Sequence, residues 1–220
     1  MDLVTPAPAY HAPMLYQLKG MTNVKIVHIT CTASDFAQAL AAIFTREGYH
    51  TYREGDPHID FLVETADFTH PGDTFSLADG ICESIMEETY HKNVTQPMAN
   101  LEKFLELLDA GEGKRLFYVT SARASINATL ATTGYAYNMS KAALHQFLQM
   151  AHNRLRINEN GSGYTFRVFD PMAGVVEPQA AAEAAFNYIT RRRGTENYDI
   201  YRDDENNLTI RDAAGRLHGW

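Results

Sequence analysis

The chain has 220 residues and 24.7 kDa, is 45% hydrophobic and 21% charged, and carries 27 acidic against 19 basic side chains, a net charge of −8. A single domain of that length can bury a full core without metal or disulfides. The missing basic stripe argues against a nucleic-acid or membrane-surface partner, and the apolar content excludes a disordered chain.

No apolar run approaches the roughly 18 residues that cross a bilayer. The start, MDLVTPAPAYHAP, has neither the basic opening nor the apolar stretch of a secretory signal. Two cysteines, Cys31 and Cys82, cannot make a disulfide framework, so a cytoplasmic protein is expected.

Residues 1–20 carry three prolines and no periodic pattern and read as an arm, leaving residues 21–220 as one domain. The β-branched run Val24–Thr30 predicts a buried strand. Ser34 or Asp35 can then cap a helix through Ala37–Phe44, which Gly48 ends. Tyr49–Tyr52 reads as a second strand and Ile59–Val63 as a third apolar run. A long helical stretch from about Asp79 to Leu108 should break near Pro97. Leu116–Thr120 predicts a strand, residues 137–155 a strong helix, Tyr164–Phe169 a strand and Gln179–Ile189 an Ala-rich helix. A terminal hairpin is expected from Tyr198–Asp203 and Leu208–Arg211 around an Asn206-Asn207 turn. Strands alternating with helices of this length predict a doubly wound, three-layer α/β fold with a parallel sheet.

Chemistry concentrates between Ser121 and Leu144. Tyr137 and Lys141 are four apart, so on a helix their heads share one face. A neighbouring ammonium favours the phenolate and lowers the phenol's pKa, making a tyrosine usable as a general acid or base. Ser121, at a strand end, can hold a carbonyl oxygen at the carboxyl edge of the sheet.

This segment resembles the short-chain dehydrogenase/reductase family, whose signature is a strand-end Ser followed by Tyr-x-x-x-Lys on the next helix. The interval from Ser121 to Tyr137, with Tyr135-Ala-Tyr137 ahead of Ser-Lys-Ala-Ala-Leu, is most similar to the carbonyl-reductase-like branch. His91-Lys92-Asn93-Val94-Thr95 supplies the family's helix-kinking Asn. Asp170-Pro171 matches its Pro-Gly turn, with Met172 in the glycine's place. The likeness spans roughly residues 24–190. It implies a catalytic tetrad of Asn93, Ser121, Tyr137 and Lys141. Tyr137 would transfer the proton, and Lys141 would lower its pKa and hold the cofactor ribose. Ser121 would orient the carbonyl and Asn93 would anchor a relay water. The resemblance also implies an NAD(P)(H) site and a dimer formed through the Asn93 and Tyr137 helices. Ser125 fits the serine's role less well than Ser121.

The nucleotide half departs from the family. A pyrophosphate needs close backbone approach at a helix N-terminus, and the family meets this with Thr-Gly-x-x-x-Gly-x-Gly. Aligned on Thr30, this chain has Cys31, Asp35 and Ala37 where the glycines belong, and Asp35 would repel phosphate. The family's Asn-Asn-Ala-Gly run is here Glu64-Thr65-Ala66-Asp67, which keeps only the alanine and adds two charges. Arg53–Asp60 is too short for the helix and strand that close the adenine pocket, which weakens the NADP hint of Arg53. Cofactor contacts, if made, would come from Thr30, Cys31, Asp35, Ala37, Arg53, Ala66, Lys141 and Pro171. No metal-binding spacing of Cys or His occurs.

Three functions follow as expectations. The first is a short-chain oxidoreductase that interconverts a carbonyl and a hydroxyl on a small or carrier-bound substrate with a non-standard NAD(P)(H) site. The second is a cofactor-free binding or structural subunit in a homo-oligomer or with another short-chain subunit. The third is cofactor-independent Ser/Tyr chemistry of the halohydrin dehalogenase type.

Overall fold

Strands and helices alternate through residues 24–76, 78–127, 129–158, 163–191 and 208–219, which are the residues described by the computed structural model. The strands are β1 (Ile26–Ile29), β2 (His50–Thr51), β3 (Phe61–Glu64), β4 (Arg115–Val119), β5 (Thr165–Asp170), β6 (Ile210–Asp212) and β7 (Leu217–His218). They form one sheet in the order β2-β1-β3-β4-β5-β6-β7. Every pairing is parallel except β6 with β7. The helices are α1 (Asp35–Arg46), α2 (Glu83–Tyr90), α3 (Gln96–Ala110), α4 (Tyr135–Asn158) and α5 (Pro178–Thr190).

The layers follow from side-chain alternation along each strand. Val27, Ile29, Phe61, Val63, Phe117, Val119 and Phe169 pack on one face against Leu40, Ile43 and Phe44 of α1 and the alanines of α5. Leu62, Leu116, Tyr118, Phe166 and Val168 take the other face, under α3 and α4. The expected three-layer α/β fold is therefore present. The turn from Arg53 to Asp60 carries no helix, and among the described residues β2 is the outer strand on that side. The family's extra helix-strand unit is missing there, as the short interval implied.

Ser34, not Asp35, caps α1, with its Oγ accepting the Ala37 amide. The interruption of the long helical stretch lies earlier than expected. It is a π turn at His91–Thr95, and Pro97 sits immediately after it in the first turn of α3. The terminal hairpin is shifted too: its strands are β6 and β7 with the turn at residues 213–216, because Asp212 collects the Ala214 and Arg216 amides. The arm at residues 1–20 and the predicted strand Tyr198–Asp203 with its Asn206-Asn207 turn lie outside the described residues.

Buried Asp60 sets the start of the central strands. Its carboxylate accepts the Ile26 amide at 2.9 Å and the Glu112 and Gly113 amides at 3.1 and 2.9 Å. Gly113 is required because a Cβ there would stand 2.7 Å from the Asp60 carbonyl oxygen. No helix among the described residues is long and apolar enough to cross a membrane.

Candidate functional site

The carboxyl ends of β1, β3, β4 and β5 open onto a crevice, and α4 delivers two side chains into it. Asp73 anchors the start of α4 by accepting the Ala136 and Tyr137 amides at 3.2 and 2.8 Å. This aims Tyr137 into the crevice, with Lys141 one turn behind it on the same face.

Lys141 has no exposed side-chain surface. Its ammonium donates to the carbonyl oxygens of Ala66 at 2.7 Å and Val119 at 3.2 Å, and lies 3.1 Å from Asp67 Oδ1. An ammonium has three protons, and these three acceptors match them. The Tyr137 hydroxyl donates to the same Asp67 Oδ1 at 2.8 Å. Asp67 therefore caps both members of the pair.

This reverses one expectation. The Tyr137 phenol is pushed well above its ordinary pKa, first by burial and then by the Asp67 carboxylate, while a hydrogen bond with Ser121 acts in the opposite direction. Asp67, which also takes the Lys141 ammonium, acts on the phenol in the direction opposite to that expected of Lys141.

Ser121 stands beside Tyr137 at the end of β4, as expected, and Ser125 is buried at the end of the following 3₁₀ turn. Ser121 Oγ accepts the Arg123 amide at 3.2 Å and lies 3.5 Å from Asp170 Oδ2. Asp170 spends its carboxylate on the Ala122 and Met172 amides, both at 2.7 Å, which holds Met172 in a left-handed conformation with φ 54° where the family has glycine.

Asn93 occupies the π turn and is fully buried. Its Oδ1 accepts the Phe68 amide at 2.8 Å, and its Nδ2 donates to the Phe68 carbonyl at 2.8 Å and to Ser140 Oγ at 3.0 Å. Ser140 in turn donates to the Tyr137 carbonyl at 2.8 Å. Asn93 clamps the segment carrying Asp67 against α4.

Two cavities flank Asp67, which lines both. One, of about 510 Å³, runs past Thr30, Cys31, Ser34, Glu64, Ala66 and Lys92. The other, of about 380 Å³, is lined by Ser121, Arg123, Tyr137, Asp170, Met172 and Arg216, among others. Thr30, Cys31 and Ala66 thus face the nucleotide side, as expected. Asp35 and Pro171 instead border a separate cavity of about 240 Å³. Ala37 is buried within α1, and Arg53 is exposed in the turn after β2, with its amide bound to Asp56. Neither reaches the crevice.

These residues do not fit a nicotinamide dinucleotide. The ammonium and hydroxyl that would hold the ribose are spent on Asp67. The larger cavity presents Glu64 and Asp67 to a pyrophosphate, and its lysine, Lys92, is already paired with Glu88 at 2.7 Å. The Ala37 amide at the start of α1 is taken by Ser34. Among the described residues no strand lies beyond β2 to floor an adenine pocket. No group of metal-ligating side chains occurs among them either.

Asp67 was visible in the sequence only as a charge in place of a glycine. Asp73, Ser140 and Arg123 carried no local signal, since each acts across a fold contact.

The fold is that of short-chain dehydrogenase/reductase structures with a carbonyl-reductase-like architecture. A protein of Burkholderia multivorans described as a short-chain alcohol dehydrogenase superposes with a TM-score of 0.68 at 16% identity, over 90% of this chain and 100% of that one. A carbonyl reductase from Pseudomonas aeruginosa PAO1 in complex with NADP gives 0.66 at 14% identity over the same shares. Sniffer of Caenorhabditis elegans gives 0.69 at 12%, again over 90% and 100%. No protein-family model matches the chain. No curated protein matches it either.

Proposed function

We propose that this protein is a cofactor-free binding subunit built on the short-chain fold, taking a small oxygen-bearing ligand at Ser121 and Tyr137 without a nicotinamide nucleotide. The observation that carries this reading is the Asp67 carboxylate, which takes the Tyr137 hydroxyl and the Lys141 ammonium together. The ammonium of Lys141 is neutralised in place, and the Tyr137 proton is held at Asp67. The centre is a set of oriented hydrogen-bonding groups rather than an acid poised to titrate near neutral pH.

A role within an assembly is supported by the α3–α4 surface. There Met98, Leu101, Leu105 and Phe147 line a shallow apolar groove, and Met150 is also exposed. A halide at the same centre would meet Asp67 and Asp170, which argues against the dehalogenase alternative.

Titration of the purified protein with NAD⁺, NADH, NADP⁺ and NADPH, followed by calorimetry and thermal shift, tests the reading. Neither heat nor a rise in melting temperature is expected. Saturable binding of any of the four would overturn it. That outcome would favour a second reading, a carbonyl/hydroxyl oxidoreductase, which is supported by the assembly of Asn93, Ser121, Tyr137 and Lys141 around one crevice and by the NADP bound to the Pseudomonas neighbour.

A further inference from the structure

The charges lining the larger cavity leave one carboxylate over. Asp67 is paired with Lys141, and Lys92 is paired with Glu88 at 2.7 Å while it lies over the Phe68 ring. Glu64 lines the same cavity and is only 2% exposed. Its two carboxylate oxygens accept from the Ala66 amide at 3.2 Å and from Asn100 Nδ2 at 2.7 Å. Both donors are neutral, and Glu64 forms no ion pair among the described residues. These bonds orient the carboxylate without compensating its charge, and a buried charge that lacks a counter-ion is costly.

Two buried hydroxyl oxygens flank Glu64, and neither has a hydrogen-bond partner among the described residues. Thr30 follows β1, and its amide donates to the Val63 carbonyl at 3.1 Å, which sets it beside Glu64 at the carboxyl edge of the sheet. Its Oγ1 is the first of the two, and Thr30 also lines the cavity. Tyr118, the β4 partner of Glu64 in the sheet register, is fully buried and carries the second. An ammonium supplies what is missing: a positive charge for Glu64 and N–H donors for the carboxylate and Thr30 Oγ1. A neutral alcohol would satisfy Thr30 and leave the Glu64 charge standing. The donor set does not suit a metal ion, since no group of three metal-ligating side chains occurs among the described residues. A volume of about 510 Å³ lies within the roughly 300–1,000 Å³ of small-molecule sites, so there is room for an organic body behind the charged head, along Ala33, Ala66 and Phe68.

We infer that the larger cavity binds a small primary ammonium ion, an alkylamine with its head on Glu64 and Thr30 and its chain on the apolar wall. This rests on the cofactor-free reading above, because a dinucleotide would fill the same cavity, and it adds a ligand site apart from Ser121 and Tyr137.

Calorimetric titration of the full chain with butylamine and hexylamine at constant ionic strength, set against butanol and magnesium chloride, tests it. At least one amine should bind saturably, and butanol should bind several-fold more weakly. Glu64→Gln keeps the shape and an acceptor oxygen but removes the charge, and should weaken the amine by roughly tenfold or more. Without ligand that variant should keep or raise the parent melting temperature, because an uncompensated buried charge is gone. Cys31, which is exposed and lines the same cavity, gives a readout that leaves Glu64 in place. In a Cys82→Ser protein, saturating amine should slow the reaction of Cys31 with a disulfide reagent several-fold. The inference is overturned if neither amine binds, if butanol binds as tightly, if the Glu64→Gln protein binds the amine equally, if Cys31 reacts at an unchanged rate, or if magnesium displaces the amine. Failure on these counts with nucleotide binding still absent removes the ammonium ligand alone; nucleotide binding would remove the cofactor-free reading beneath it.

Discussion

Asp67 Oδ1 lies 2.8 Å from the Tyr137 hydroxyl and 3.1 Å from the Lys141 ammonium, so one carboxylate oxygen joins two side chains that the family resemblance assigns to a substrate and a ribose. A quarter of the Asp67 side chain is exposed while Lys141 is fully covered, so the pair is sealed on the protein side and open only at Asp67. The two cavities meet at this residue.

Asp67→Asn removes the charge but keeps an acceptor for the phenol. Lys141 is then uncompensated, and its ammonium should pull the Tyr137 pKa down from its raised value. Ultraviolet titration of phenolate absorbance, with Tyr137→Phe to identify the transition, reads this directly. The variant should also lose about 1–3 kcal/mol of stability, because a buried ammonium loses its counter-charge. An unchanged Tyr137 transition would show that burial alone sets it.

Asn93 makes three hydrogen bonds from a fully buried side chain, two to the Phe68 backbone and one to Ser140. Asn93→Ala strands the Phe68 amide and carbonyl and should cost about 2–3 kcal/mol in urea unfolding. Ser140→Ala removes a smaller part of the clamp and should cost about 1 kcal/mol. If Asn93→Ala were as stable as the parent, the clamp would be refuted.

His145 lies one turn beyond Lys141, and its Nε2 is 2.7 Å from Thr120 Oγ1. Burial, helped by the Lys141 charge, lowers its pKa from 6.5 to about 4. The unfolded chain therefore binds a proton near pH 6.5 that the folded chain refuses until about pH 4, so stability falls as pH drops through that window. The loss from this one group amounts to roughly 3 kcal/mol at the acid end. Urea midpoints measured near neutrality and near pH 5 should diverge for the parent and converge for His145→Gln; parallel shifts in both proteins would assign the acid sensitivity elsewhere. His28 is lowered in the same direction, by burial and then by Lys103, and accounts for part of what remains.

Asp60 ties the β1 start to the turn between α3 and β4 through three amides. Asp60→Ala orphans all three and should cost about 3 kcal/mol; Asp60→Asn keeps an acceptor oxygen and should cost less. Equal losses in the two variants would mean that the His58 contact, at 3.3 Å, carries the effect instead.

Much of the fold was legible in the order of residues because the forces that set it are local. The β-branched run around Val27, the Ser34 cap, and the four-residue step from Tyr137 to Lys141 each act within a turn or a strand. The missing helix-strand unit was legible too, since chain length between Arg53 and Asp60 limits what can form there. The helix break near Asn93 was misplaced to Pro97, because a π turn has no composition signal and is held by Phe68, 25 residues earlier.

The chemical state of the site was not legible. Spacing places Lys141 beside Tyr137, and in isolation that pair predicts a lowered phenol pKa. The reversal comes from burial and then from Asp67, 70 residues before Tyr137, whose loop is pressed onto α4 by Asn93 and Asp73. Arg123 is equally silent in one dimension: its place against the Tyr137 ring emerges only in the fold. Local pattern decides which groups a chain offers to a crevice. The folded packing decides which of their protons and charges remain free, because electrostatic partners are chosen by distance in space.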